Sequence, residues 1–167
     1  MSKKQSSKKE AAHAGERDIR QAEPSDFEGV MAIENACFPG ELAYTRPQMR
    51  YLLFKANGIT LIEASGDTVQ GYITMVFRRN TETACLETIG VLPACRGTGV
   101  GKRLLQAAEE WMVTKGITSF RLEVSSGNDA AISMYEKAGY RITGILPNYY
   151  IYDHHGTRDA YRMEKQL

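Results

Sequence analysis

From position 18 onward, stretches of alternating apolar and polar residues trade places with stretches of near-helical spacing. Residues 18–22 alternate as a first strand. Pro24-Ser25-Asp26 then opens a helix whose apolar positions Phe27, Val30, Met31, Ile33 and Cys37 recur at near-helical intervals, and Phe38-Pro39-Gly40 ends it. A short second helix is predicted over 46–55, with Met49, Leu52 and Leu53 inward. Two extended runs, 59–64 and 69–77, flank the turn Ser65-Gly66-Asp67, and a further strand spans 84–92. The long helix that follows places Val100, Leu104, Leu105, Ala108, Trp111 and Met112 on one face, with Lys102, Arg103, Glu109 and Glu110 opposite. Lys115-Gly116 closes it with a basic last turn and a glycine cap. Phe120, Leu122 and Val124 alternate as a fifth strand. A helix over 128–138 is capped by Gly139, and 140–146 with 160–165 form a final strand pair. Strands interleaved with helices predict an α/β protein whose sheet is mixed rather than wholly parallel.

Residues 1–16 break this rhythm. They are polar and aperiodic, and read as a disordered tail ahead of one domain over 17–167. Lys3, Lys4, Lys8 and Lys9 make the tail weakly basic, which fits a solvated extension better than a nucleic-acid tether. The whole chain of 167 residues carries a net charge of only +1, so nothing argues for specific nucleic-acid binding. No apolar run approaches membrane-spanning length, and Met1 to Arg20 lacks the apolar core of a secretory leader. Cys37, Cys85 and Cys95 are odd in number and without C-x-x-C spacing, which suits a reduced, cytoplasmic protein and no metal site.

The chemistry concentrates at Arg96-Gly97-Thr98-Gly99-Val100-Gly101, between a strand and the long helix. Three glycines in five positions leave a row of unobstructed backbone N–H groups at the positive end of a helix, a seat for a pyrophosphate. A dinucleotide fingerprint would need glycine or alanine at 102, where Lys102 stands. A Walker loop would need serine or threonine at 103 and glycine at 96, where Arg103 and Arg96 stand.

The loop instead resembles the acyl-CoA signature Q/R-x-x-G-x-G/A of the GNAT family of N-acetyltransferases. Leu122-Glu123-Val124, Asn128, Ala131, Tyr135 and Gly139-Tyr140 are similar to the second half of that family's core. Asn148-Tyr149-Tyr150 resembles the branch that acetylates protein N-termini, including ribosomal-protein alanine acetyltransferases. The stretch after Phe38-Pro39 reads Gly40-Glu41-Leu42-Ala43-Tyr44, without the tryptophan often found there in the ribosomal branch. The resemblance implies a single-domain fold with a mostly antiparallel sheet, about four flanking helices, and parallel central strands that splay apart. The gap would lie between Ile89-Gly90-Val91 and Glu123-Val124-Ser125 and admit the pantetheine arm of acetyl-CoA.

Acetyl transfer to an amine needs a neutral amine, a polarised carbonyl, a proton for the leaving thiolate and a held donor. At a reference pKa near 7.7–8.0, roughly a tenth of an α-amine is already neutral at pH 7; a lysine near 10.4 is neutral in only about one molecule in 2,500. A modest base acting through water therefore suffices for an N-terminal substrate. The resemblance makes Glu123 the candidate base, with Glu87 on the neighbouring strand its rival, and Tyr135 the acid. Asn128, two helical turns from Tyr135, would hold the pantetheine arm while also serving as an N-cap. The backbone N–H near Ile89 would polarise the thioester. Arg96 through Gly101 would seat the diphosphate, and Lys102 and Arg103 could add charge beside it or simply form a solvated face. Tyr149 and Tyr150 would wall the acceptor, faced by Phe38, Pro39 and Glu41. His154 and His155 read as a surface loop. The expected substrate is a protein or peptide N-terminus, a ribosomal protein among the candidates. Alternatives are a small amine such as a polyamine or antibiotic, or an acyl-CoA-binding module without catalysis.

Overall fold

Period-2 and period-3.6 segments fall where their spacing predicts, in a computed structural model that describes residues 17–167; the expected polar tail lies outside the described residues. The strands are β1 (Arg17–Gln21), β2 (Gly58–Ser65), β3 (Thr68–Phe77), β4 (Thr83–Val91), β5 (Ser119–Ser125), β6 (Arg141–Leu146) and β7 (Ala160–Gln166). The helices are α1 (Phe27–Cys37), α2 (Arg46–Phe54), α3 (Val100–Val113) and α4 (Asp129–Lys137). All seven strands join one sheet in the order β1-β2-β3-β4-β5-β7-β6. Among the described residues only the β4–β5 pair is parallel. The fold is thus a single-domain α/β arrangement with a mostly antiparallel sheet, as the sequence resemblance implies.

Local chemistry sets the element ends. The helix expected from Pro24 begins as a 3₁₀ turn over Pro24–Asp26 and becomes α-helical only at Phe27. Asp26 causes the delay: its carboxylate accepts the Glu23 N–H at 2.7 Å and two bonds from the Arg20 guanidinium at 2.7 and 2.9 Å. That guanidinium also holds the Asp26 carboxyl below the usual carboxylate range. At α2, Thr45 and Gln48 form a reciprocal capping box that brackets Pro47.

Helices cover both faces of the sheet. One core packs Leu104, Leu105 and Met112 of α3 against Ile73 and Met75 of β3 and Phe120 and Leu122 of β5. The other packs Val30 and Ile33 of α1 with Met49 and Leu53 of α2 against Ile62 and Tyr72. The central strands are therefore buried on both sides, which is why 59–64 reads as nearly continuous apolar sequence. Glu109 departs from its expected place on the solvent face of α3. It is buried, because Tyr140 donates to it at 2.7 Å and Lys165 of β7 closes on it at 2.6 Å.

Two irregularities open the middle of the sheet. The parallel pairing stops after Thr83↔Ser119, Ala84↔Phe120 and Cys85↔Arg121. Just beyond, Thr74 faces Thr88 while Met75 faces Leu86, so Glu87 is an extra residue that bulges out of β4. A bulge bends the strand that carries it, while β5 stays paired to β7 along all seven of its residues. β4 and β5 therefore diverge.

Candidate active site

The divergence forms a cleft of about 1440 Å³ that runs from the head of α3, between β4 and β5, to the loops after α1 and β6. Single small-ligand sites span roughly 300–1,000 Å³, so there is room for two reactants.

At one end lies the glycine loop. Gly97 and Gly99 have φ of 76° and 87°, a left-handed backbone that a side chain would strain. Those two reversals turn the chain so that, among the described residues, the N–H groups of residues 97–102 find no protein acceptor. They are gathered at the positive end of a 14-residue helix, a donor set that fits a diphosphate. Arg96, Gly97, Gly99, Val100, Gly101 and Lys102 line the cleft. Thr98 does not; its hydroxyl donates to the Cys95 carbonyl at 2.5 Å and props the loop. Arg103 is also occupied elsewhere. Its guanidinium grips Glu63, a fully buried β2 carboxylate, at 2.7 and 2.9 Å and donates to the Thr98 carbonyl at 3.0 Å. The Arg103–Glu63 pair thus braces the loop from behind rather than charging the cleft.

In the gap itself, Ile89, Gly90 and Val91 form one wall and Glu123, Val124 and Ser125 the other. The Leu92 N–H turns to Gln70 on β3 at 2.8 Å. N–H directions alternate along a strand, so those of Ile89 and Val91 turn to the side that β5 has vacated. Asn128 caps α4 by accepting the Ala131 N–H at 3.2 Å and also lines the cleft. Tyr135, two turns on, is 4% exposed, and its hydroxyl has no protein partner among the described residues. Burial pushes that phenol well above its usual range, so it keeps its proton at neutral pH.

The opposite end of the cleft gathers both candidate bases. Glu87 accepts the Tyr44 hydroxyl at 2.6 Å. Glu123, on the same face of β5 as Arg121, accepts from Arg162 Nε at 3.2 Å, with Arg121 Nε at 3.6 Å. Tyr149 and Tyr150 stand in the wall with rings 5.0 Å apart, and burial raises the Tyr150 phenol to about 12. Phe38 faces them, but Pro39 and Glu41 stand outside the lining. Glu41 instead accepts the Tyr152 hydroxyl, tying the loop after α1 to the loop after β6.

Three further residues stand at this end, one that the sequence reading placed on the surface and two that it gave no role. His154 is buried rather than on the surface, because its ring packs 5.6 Å from Phe38 and 5.2 Å from Tyr150. Its carbonyl accepts the Ser125 hydroxyl at 2.5 Å, and burial lowers its imidazole pKa. Glu34 accepts the Tyr44 N–H at 2.8 Å and the Tyr72 hydroxyl, so it seats Tyr44 beside Glu87. Burial raises the Glu34 carboxyl. A carboxylate at the inward spacing of Val30 and Cys37 was the available sign. Tyr44 had none, lying in a loop between two helices.

A seven-stranded sheet, one divergent parallel pair and a donor loop at a helix head define a class of acyl-CoA-dependent transferases. The chain belongs to the acetyltransferase (GNAT) family, whose family model matches residues 27–140. It is 35% identical over 103 residues to N-alpha-acetyltransferase RimI of Mycobacterium tuberculosis, covering 60% of this chain and 61% of that protein. It is 38% identical over 103 residues to mycothiol acetyltransferase of Renibacterium salmoninarum, covering 59% of this chain and 30% of that one. The chain thus spans less than two thirds of the length of these curated relatives. Among solved structures, Ard1 from Thermoplasma volcanium superposes with a TM-score of 0.78 at 28% identity, covering 90% of this chain and 97% of that one.

Proposed function

We propose that the protein transfers an acetyl group from acetyl-CoA to a primary amine, the α-amine of a protein or peptide N-terminus. The observation that carries this reading is the continuity of the cleft. Unpaired N–H donors stand at one end, two carboxylates and an aromatic wall at the other, and a protonated phenol between them. The likeness to RimI, an N-alpha-acetyltransferase, supports the same acceptor.

Acetyl-CoA would supply the acyl group already activated as a thioester. Residues 97–102 hold its diphosphate with backbone N–H groups, Lys102 adds charge, and the Ile89 N–H polarises the carbonyl oxygen. Asn128 keeps its amide group on the cleft while its oxygen caps α4. Glu123, through an ordered water, takes the proton of the incoming amine, and Glu87 offers a second route from the facing strand. Tyr135 holds a proton at its hydroxyl oxygen for the departing sulfur. Tyr149, Tyr150 and Phe38 exclude water and grip an extended backbone.

The likeness to a mycothiol acetyltransferase favours a second reading, a small amine as acceptor. Mass spectrometry of a panel of peptides and free amines, incubated with acetyl-CoA, separates the two. N-terminally acetylated peptides are the expected product; turnover on free amines alone would end the peptide reading.

A further inference from the structure

The acceptor cleft carries a positive charge that the reaction does not use. Arg121 lies on β5, two residues before Glu123 and on the same face, and lines the cleft beyond the reacting centre. Among the described residues its guanidinium, 40% exposed to the cleft, makes no protein hydrogen bond, and its Nε has only a loose ion-pair contact. The nearest carboxylate is Glu123, at 3.6 Å, and that oxygen already accepts from Arg162 at 3.2 Å. Glu164 stands opposite Arg121 in the β5–β7 register, yet makes no ion pair with it. Arg78, in the turn after β3, also lines the cleft, as do the hydroxyl-bearing Thr81 and Thr83.

A guanidinium presents five donors in a planar fork, and one left without hydrogen bonds at the wall of a cleft is complementary to a carboxylate. Two guanidinium groups share the single carboxylate of Glu123, and Arg78 adds a further positive charge to the cleft lining. Glu87 and Glu123 lie ahead of it, where the amine must arrive. The acceptor best matched to this order of charges bears its amine at one end and an anion further along. The Arg121 guanidinium reaches to within 3.6 Å of Glu123, so an anion it seats lies close behind the amine, inside the roughly 7 Å that the first two residues of an extended peptide span.

Resting on the peptide reading above, we infer that Arg121, with Arg78 in the lining of the same cleft, selects acceptors that carry a carboxylate near the reacting amine. That carboxylate is an Asp or Glu side chain at the second position, or the terminal carboxylate of a short acceptor. Arg121 is then a specificity residue, touching substrate without taking part in proton transfer.

The test compares C-terminally amidated peptides that begin Ala-Glu, Ala-Gln and Ala-Lys, together with the Ala-Ala dipeptide as free acid and as amide. The expected kcat/KM for Ala-Glu exceeds that for Ala-Gln by about tenfold, carried mainly by KM, with Ala-Lys poorer still. A free-acid preference confined to the dipeptide assigns the seat to a terminal carboxylate, and a preference confined to the longer peptides assigns it to the side chain. In Arg121→Gln the Glu-to-Gln ratio falls to near one, Arg121→Lys restores part of it, and Arg121→Glu turns the preference toward Ala-Lys. CoA binding by calorimetry checks that each variant is folded. Equal rates on charged and neutral acceptors, or a preference that survives in Arg121→Gln, would overturn the assignment while leaving the acetyltransferase reading intact. No transfer to any of these peptides would overturn both the assignment and the peptide reading on which it rests.

Discussion

Replacing Arg103 by methionine isolates the brace behind the glycine loop. Glu63 has no exposed surface, and both of its oxygens accept from Arg103, at 2.7 and 2.9 Å. Removing one partner of a buried pair costs about 3–5 kcal/mol, because the remaining charge stays desolvated and uncompensated. The Arg103 side chain is itself 34% exposed, so water already screens part of the attraction and reaches the vacated site. A loss of about 2–3 kcal/mol is expected after that discount. For a chain of this size each kcal/mol moves the melting temperature by about 2–4 °C, so Arg103→Met should melt roughly 4–12 °C lower.

The double variant Glu63→Leu with Arg103→Met separates folding from function. With no buried charge left, it should recover most of the lost stability. The Thr98 carbonyl still lacks the Arg103 donor that sits at 3.0 Å in the native protein, so the loop stays unbraced. CoA affinity by calorimetry should therefore fall about three- to tenfold in both variants, an effect near 1 kcal/mol. Urea unfolding at pH 7 supplies the stability arm. A single variant within about 0.5 kcal/mol of the native protein would refute the desolvation argument. A double variant with full CoA affinity would refute the bracing argument.

Three further outcomes follow from the same geometry. Tyr135→Phe keeps the packing of its buried ring against Tyr140 and removes only the free hydroxyl, so kcat should fall about a hundredfold in acetyl-transfer assays while CoA affinity stays within about twofold. An unchanged kcat would remove Tyr135 from the proton path. His154 is buried, which holds its imidazole below the ordinary value of 6.5, so the unfolded chain takes up a proton before the folded one does. Its contribution to stability is complete above about pH 6.5 and is lost as the pH falls toward the depressed folded value; urea midpoints at pH 7.5, 6.5 and 5.5 should decline less steeply in His154→Phe, and parallel slopes would contradict the burial. Gly127→Ala would bring a Cβ within 2.1 Å of the His155 carbonyl oxygen, pushing the loop after β6 off the end of β5. A loss of about 2 kcal/mol and a raised acceptor KM with native CoA affinity are expected, and native acceptor kinetics would show that the loop does not shape the site.

Secondary structure was legible because it follows from periods within short windows. The register of α1, the alternation of β5 and the glycine loop before α3 each span fewer than about 15 residues, within reach of pattern reasoning. Side-chain pairing is different. Arg103 finds Glu63 across 40 residues, Lys165 finds Glu109 across 56, and Tyr72 finds Glu34 across 38. Each of these carboxylates looks solvent-facing or anomalous until its partner arrives through the sheet order. Glu34, Glu63 and Glu109 are buried for that reason, and no local rule would have placed all three inside.

Arg121 shows the same limit acting on the site. Alternation sends Phe120, Leu122 and Val124 to the α3 core and so assigns Arg121 and Glu123 to the opposite face. In an unbroken parallel pair that face would be an ordinary polar surface flanked by β4. Pairing instead ends at Cys85↔Arg121, and the bulge at Glu87 bends β4 away. The last residue of β5 that pairs with β4 thereby becomes the first residue of a cleft wall. Whether a charged strand position is surface or site thus depends on where a neighbouring strand departs, which is set by a bulge 34 residues earlier in the chain.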